Sequence, residues 1–295
     1  MKACNKITVV FGLLLVLFLS APGPLKAETA GVLSEDFEPI HWAYSSFFGT
    51  GWYSIEGARS VFALQVPLRQ TLRDASVSDD PGRKIGIELR YPLTIGLHDV
   101  KDFGGIIDND NFGTIAFAPG VELEIPINHR WYLRPFANIG YGRELEAGES
   151  AWAFYTGIKS RYIFASKSRY EWSLLTGLYF GGYRPDEGRS DHMAVASVGV
   201  ELRQPLSKAM VSGRPIDLHW NLMYTLMGNE LHFNLPDGRV EPIRDHFEFG
   251  IAASFRDGPF RLWFFDVHRL GLGYRLSSNG EFSAITLHMR SWFTK

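Results

Sequence analysis

Ser190, Asp191 and His192 stand together in this sequence, with Ser197 a few positions on. A serine hydrolase needs its nucleophile beside a histidine, and a third group to orient that histidine. On a strand, however, adjacent side chains point to opposite faces, and the chain contains no G-x-S-x-G elbow. A lipid hydrolase using Ser190 or Ser197 with His192 is therefore kept only as an alternative. Asp108-Asn109-Asp110-Asn111-Phe112-Gly113 opens like a calcium loop, but its fifth position is Phe112, and Pro119 stands where a bidentate glutamate belongs. The nine histidines show no paired metal spacing, and Gly140-x-Gly142 is not followed by a phosphate-binding helix. No cofactor and no metal are expected.

The remaining polar chemistry is spread along the chain at alternate positions. Glu88, Arg90, Glu122, Glu124, Arg134, Asn138, Glu171, Glu201, Arg203, Glu248, Arg275 and Arg290, with Gln65, Lys159 and Arg161, each interrupt an apolar alternation. The cleanest case is Lys84 to His98. Ile85, Ile87, Leu89, Tyr91, Leu93, Ile95 and Leu97 take every second position, with Gly86, Glu88, Arg90, Pro92, Thr94 and Gly96 between them. Helical spacing would put Glu88 and Pro92 on the apolar face, so the stretch reads as a strand with one long apolar face. Lipid, or an equally large second layer of protein, must cover that face.

The N-terminus bears on which. Lys2 and Lys6 precede an apolar run from Ile7 to Leu19, and a helix-breaking segment follows to Ala27. The run is too short for the roughly 20 residues of a spanning helix, so residues 1–27 read as a secretory signal peptide. Cys4, the only cysteine, lies inside it, leaving the mature chain without disulfide or thiolate chemistry. Without Lys2, Lys6 and Lys26 the chain carries 27 basic and 32 acidic residues, a formal charge of −5, which gives nucleic acid no basic surface. An exported chain with 22 Phe, 12 Tyr and 8 Trp is a secreted soluble β-sandwich binder or a transmembrane barrel.

After a leader at residues 28–43 the alternation recurs to the C-terminus. Strands are expected at about Tyr44–Glu56, Ser60–Leu72, Lys84–His98, a segment ending at Ile127, Trp131–Gly142, Trp152–Phe164, Arg169–Gly182, His192–Leu206, Ile216–Gly228, His246–Arg256, Phe260–Leu276 with a bulge near Asp266–Arg269, and Glu281–Phe293. That is about twelve, an even number. Short connections at Asn128–Arg130, Ala165–Ser168 and Asp257–Pro259 mark one end. Longer ones at His98–Asn111, Arg143–Ala151, Tyr183–Asp191 and Asn229–Asp245 mark the other. Asp74–Arg83 and Ser207–Pro215 break this scheme as long connections on the short side, as do the short turns at Gly57 and Ser277 on the long side. Trp131, Trp172, Trp220 and Trp263 fall near strand starts at the short-turn end, in the manner of a membrane aromatic girdle. Pro67, Pro126 and Pro205 gather at the same end, where a missing ladder donor costs least.

Three runs carry a resemblance: Tyr44 to Leu72, Phe117 to Gly142 (FAPGVELEIPINHRWYLRPFANIGYG) and Ala151 to Tyr162 (AWAFYTGIKSRY). The chain resembles the solitary outer-membrane β-barrels of Gram-negative bacteria, which look like autotransporter translocators without a passenger domain. The resemblance implies an all-β, antiparallel up-and-down transmembrane barrel of about twelve strands over residues 44–293, in the cell outer membrane. Its partners would be outer-membrane lipid and, through the C-terminal strand, the barrel-assembly machinery. The function expected is that of a non-enzymatic envelope barrel, either a narrow passive pore or a structural and surface barrel with a mixed-charge lumen.

Overall fold

The computed structural model describes residues 49–55, 61–77, 83–98, 112–145, 148–188, 190–234, 240–262 and 265–288. Residues 1–48, on which the expected signal peptide and leader fall, and the run from Met289 to the C-terminus lie outside these. The strands are β1 (Gly51–Ile55), β2 (Val61–Arg73), β3 (Gly86–His98), β4 (Phe112–Phe117), β5 (Gly120–Asn128), β6 (Trp131–Glu144), β7 (Ser150–Ile163), β8 (Glu171–Pro185), β9 (Asp191–Val211), β10 (Arg214–Asn234), β11 (Val240–Phe255), β12 (Phe260–Leu262), β13 (Phe265–Val267), β14 (Leu270–Leu276) and β15 (Phe282–His288). Strands next to each other in the wall pair antiparallel. The ring closes because β1 pairs with both β15 and β2, and β2 in turn with β3.

β4 and β5 form one stave. The pairs Leu93↔Phe117 and Arg90↔Gly120 on β3 have the same offset, as do Phe117↔Tyr141 and Gly120↔Asn138 on β6, so the register runs through Ala118-Pro119 unshifted. Only the donor that Pro119 lacks interrupts the ladder. Its neighbours still bond across: the Ala118 amide donates to the Pro92 carbonyl at 3.2 Å and the Ile139 amide to the Pro119 carbonyl at 3.0 Å. With β12 and β13 outside the ring, the wall is a closed, up-and-down barrel of twelve antiparallel strands. A two-sheet sandwich is thereby excluded.

The turns explain connections that looked irregular in sequence. The expected loop Ser207–Pro215 is instead a continuation of β9 and β10 into a two-residue hairpin at Ser212-Gly213. Both have positive φ, 53° and 75°, as a type I′ turn requires. Likewise β10 and β11 stay paired beyond the expected strand ends, out to Asn234↔Val240, past an irregularity between Leu226 and Leu231. At Asn279-Gly280 the hairpin expected from sequence is present: Gly280 has φ 82°, and the Ser277 amide donates to the Phe282 carbonyl at 2.9 Å.

Phe260–Leu276 corrects the sequence reading. It is not one bulged strand, because β12 and β13 fold back on each other (Phe260↔Val267, Leu262↔Phe265) and only β14 enters the wall. Arg214 ties this connection to the β9–β10 hairpin, its Nε 2.9 Å from Asp257 Oδ1. That hydrogen bond holds the exposed Asp257 carboxyl below the usual range and raises Arg214.

Strand parity sorts the side chains. On β6 to β11, β14 and β15 the outward positions are mostly apolar, and Ile139, Leu222, Leu270 and Ile285 are each more than half exposed. The inward positions hold the charges together with Phe136, Tyr155, Leu175 and Met223, all buried.

Candidate functional site

Eleven of the twelve charged or amide positions expected in the lumen are described, and all lie on inward positions of their strands: Glu88, Arg90, Glu122, Glu124, Arg134, Asn138, Glu171, Glu201, Arg203, Glu248 and Arg275. Arg290 lies outside the described residues. Their partners fall into three clusters.

The first is centred on Glu122 of β5. Its carboxylate is 2.7 Å from Lys159 Nζ, 3.4 Å from Arg134, 3.5 Å from Arg90 and 3.9 Å from Arg69. Arg69 also pairs with Glu88, and Arg134 with Glu124. Arg90 and Lys159 both approach the ring of Phe136, at 4.9 and 5.2 Å from its centroid, a cation–π arrangement. Phe136 packs with Tyr155, Tyr179 and Ala118 into a small apolar core. Five neighbouring staves, β2 to β7, are thus joined inside the wall. Asn138 adds a bond from Nδ2 to the Ala118 carbonyl at 2.8 Å.

The second cluster is centred on Glu201 of β9. Arg161 reaches it at 3.3 Å and Glu171 at 3.0 Å. Arg269 reaches Glu201 at 2.5 Å from the start of β14. With β10 and β11 between β9 and β14 in the wall, this contact passes over two neighbouring staves on the inner side. Asp217, wholly buried, takes Arg203 at 2.5 Å and Arg256 at 2.9 Å. His219 lies 2.8 Å from Ser254 through Nε2 and 3.8 Å from Glu201 through Nδ1. The third cluster joins Glu248 to Arg275 and to His288 at 3.1 Å, while Tyr53 of β1 contacts Arg275 and donates to the Gly49 carbonyl at 3.1 Å.

Together the clusters touch every stave of the ring. Among the described residues, each lumen carboxylate named above has a cation within ion-pair distance. Such an interior ties strands together and leaves little free charge to conduct ions. Arg69, Arg256 and Arg269 join these clusters from outside the expected set, as do Asp217 and His288, which parity alone already puts on the polar faces of their strands. Parity could have found Arg69 as well; nothing in the strand period marks Arg269, which precedes β14.

The hydrolase candidate of the sequence does not assemble. Ser197 is buried on the lumen side of β9, whereas His192 is exposed, with its ring 5.7 Å from Phe180. Asp191 accepts from the His192 backbone amide at 2.7 Å. The calcium-like run Asp108–Asn111 lies outside the described residues. Gly140 meets the Phe117 carbonyl and Ala118 of the neighbouring stave, a packing position with no phosphate cradle.

Trp131, Trp172 and Trp220 are on outward positions near the short-turn end; Trp263 lies outside the described residues. Trp172 and Trp220 flank the same residue, Leu202, in the ladders on either side of β9. The indole N–H of Trp131 donates to Ser160 at 2.9 Å and that of Trp220 to Gln204 at 3.4 Å. Tyr141 and Trp152, stacked edge-on at 5.3 Å, mark the opposite end of the outer face.

No protein-family model and no curated protein matches the sequence. Among solved structures, the chain is similar to the β domain of the Bordetella autotransporter BrkA, at 12% identity and a TM-score of 0.43, over 82% of this chain and 96% of that one. It is also similar to the siderophore receptor PirA of Pseudomonas aeruginosa, at 10% identity and a TM-score of 0.32, over 79% of this chain but only 37% of the receptor. At these identities neither likeness bears on activity.

Proposed function

We propose that this protein is an outer-membrane barrel whose lumen is held shut by ion pairs, so that it serves the envelope as a structural and surface element and not as an open pore. The observation that carries this reading is the set of three charge clusters reaching all twelve staves, with Arg269 bound to Glu201 over the two staves between them. The membrane part of the reading is supported by the outward band of exposed Ile, Leu, Val and Phe side chains, which water would leave uncompensated and lipid tails accept. The outward tryptophans near the short-turn end fit an interfacial position, where an indole ring is buried and its N–H remains satisfied.

The purified full chain, reconstituted into planar bilayers, is expected to show no steady ohmic conductance at moderate voltage. The same preparation should run on gels as a compact band that shifts only on boiling. Stable open-channel steps would remove the closed-lumen reading, and a band indifferent to heating would remove the membrane barrel itself.

A further inference from the structure

Ser254, His219 and Glu201 occupy inward positions on three consecutive staves, β11, β10 and β9. Ser254 stands opposite Asp217, two positions from His219 toward the short-turn end. Glu201 stands opposite Asn221, two positions from His219 the other way. The three side chains therefore run diagonally along the lumen wall, and the histidine lies between the other two: Nε2 is 2.8 Å from Ser254 Oγ and Nδ1 3.8 Å from Glu201 Oε1. His219 and Glu201 are buried, while Ser254 is only half-buried. That is the order of a nucleophile, a general base and an acid behind it, with Nδ1 within ion-pair reach of Glu201 and beyond hydrogen-bond distance. Arg161 and Arg269 fix the Glu201 carboxylate from its other sides.

The surroundings of Ser254 add a second feature. Its ladder partner Asp217 gathers Arg203 and Arg256, whose side chains are 34% and 40% exposed, so two guanidinium groups converge on the residue opposite Ser254 at the accessible end of the lumen. Fixed cations at that place would favour a substrate carrying negative charge and the oxyanion formed when its carbonyl is attacked.

We propose that Ser254, His219 and Glu201 form a hydrolytic site, open at the short-turn end of the lumen, for carboxylic esters that carry an anionic group. With Nδ1–H turned toward Glu201, Nε2 takes the Ser254 hydroxyl proton as Oγ bonds to the ester carbonyl carbon. The ester C–O bond then breaks, and Nε2 returns the proton to the departing alcohol. Water repeats the attack on the acyl-serine, again losing a proton to Nε2, and the acid and free Ser254 are released. Glu201 is a positioning residue that keeps the ring turned. This goes beyond the closed-barrel reading and departs from the expectation of a non-enzymatic chain.

The test uses the full chain folded in detergent and a fluorophosphonate probe, with the heat-shift gel reporting folding of each variant. The folded wild type is expected to be labelled at Ser254, as located by peptide mass spectrometry. Ser254→Ala should abolish labelling, and His219→Gln should slow it by about 10²–10⁴-fold. Glu201→Gln should slow it as well, with Glu201→Asp restoring most of the rate; Ser197→Ala should label like the wild type. A nitrophenyl ester with a carboxylate on its acyl chain should turn over faster than its neutral analogue, and Arg256→Met should remove that preference. Folded wild type that is unlabelled, labelled at another serine, or labelled equally fast in His219→Gln overturns the proposal. Because conductance reads the closed lumen and labelling reads this site, either can fail without the other.

Discussion

Replacing Glu122 with alanine should lower the unfolding free energy of the barrel by about 3–5 kcal/mol, the range for breaking a buried ion pair by removing one partner. The carboxylate is 3% exposed and lies within ion-pair distance of Lys159, Arg134, Arg90 and Arg69. Without it four cations on β2, β3, β6 and β7 would be left with only Glu88 and Glu124 among them. Glu122→Gln keeps the volume and loses the charge, so it should retain most of the penalty and show that packing is the smaller part. Glu171→Ala is the comparison: its side chain is 32% exposed and already shares Arg161 with Glu201, so a loss of about 0–1 kcal/mol is expected. Guanidinium unfolding in lipid vesicles, followed by tryptophan fluorescence, measures all three. Should Glu122→Ala cost no more than Glu171→Ala, water around this cluster would be screening these charges, and the cluster would not hold the strands together as proposed above.

The same cluster shows what the sequence could and could not tell. A period of two assigns every residue on a strand to one face, which is why Glu88, Arg90, Glu122 and Arg134 were identifiable as lumen residues without coordinates. Their partners were not, because Lys159 reaches Glu122 only once β5, β6 and β7 are set side by side in a particular register. Contacts that skip staves are further out of reach. Arg269 belongs to no strand, and its contact with Glu201 depends on β9, β10, β11 and β14 lying side by side in the wall. Ser254 and His219 are 35 positions apart and meet only because β10 and β11 pair in this register.

Element ends were legible where the turn needs a residue that tolerates positive φ, as at Asn279-Gly280. They were misread where polar residues continue a strand. Ser207–Pro215 contains Ser, Lys and Pro and so looked like a loop, yet Pro215 remains paired with Met210, and the ladder absorbs the mismatch as a register shift before Asp217. The apolar alternation of Phe260–Leu276 was equally compatible with two short strands and one long one, and period alone cannot separate them.

Gly140→Val should prevent most of the chain from reaching the folded, heat-modifiable band. Gly140 faces inward on β6, where the neighbouring stave passes Ala118-Pro119. A Cβ there would overlap the Phe117 carbonyl oxygen and the Cα of Ala118, which are backbone atoms of the wall and cannot rotate away as a side chain could. Pro119 has already removed one ladder donor at this level, so the stave has fewer hydrogen bonds with which to resist being pushed aside. The loss should therefore exceed the roughly 1–3 kcal/mol of ordinary overpacking. Gly228→Ala provides the contrast, since its Cβ would come no closer than 3.3 Å to the Ala194 carbonyl oxygen, and its folded fraction should stay near that of the wild type. If Gly140→Val folds as well as Gly228→Ala, the β4–β5 stave must be able to yield at Pro119, and the unbroken register through that proline would not be what holds this side of the barrel together.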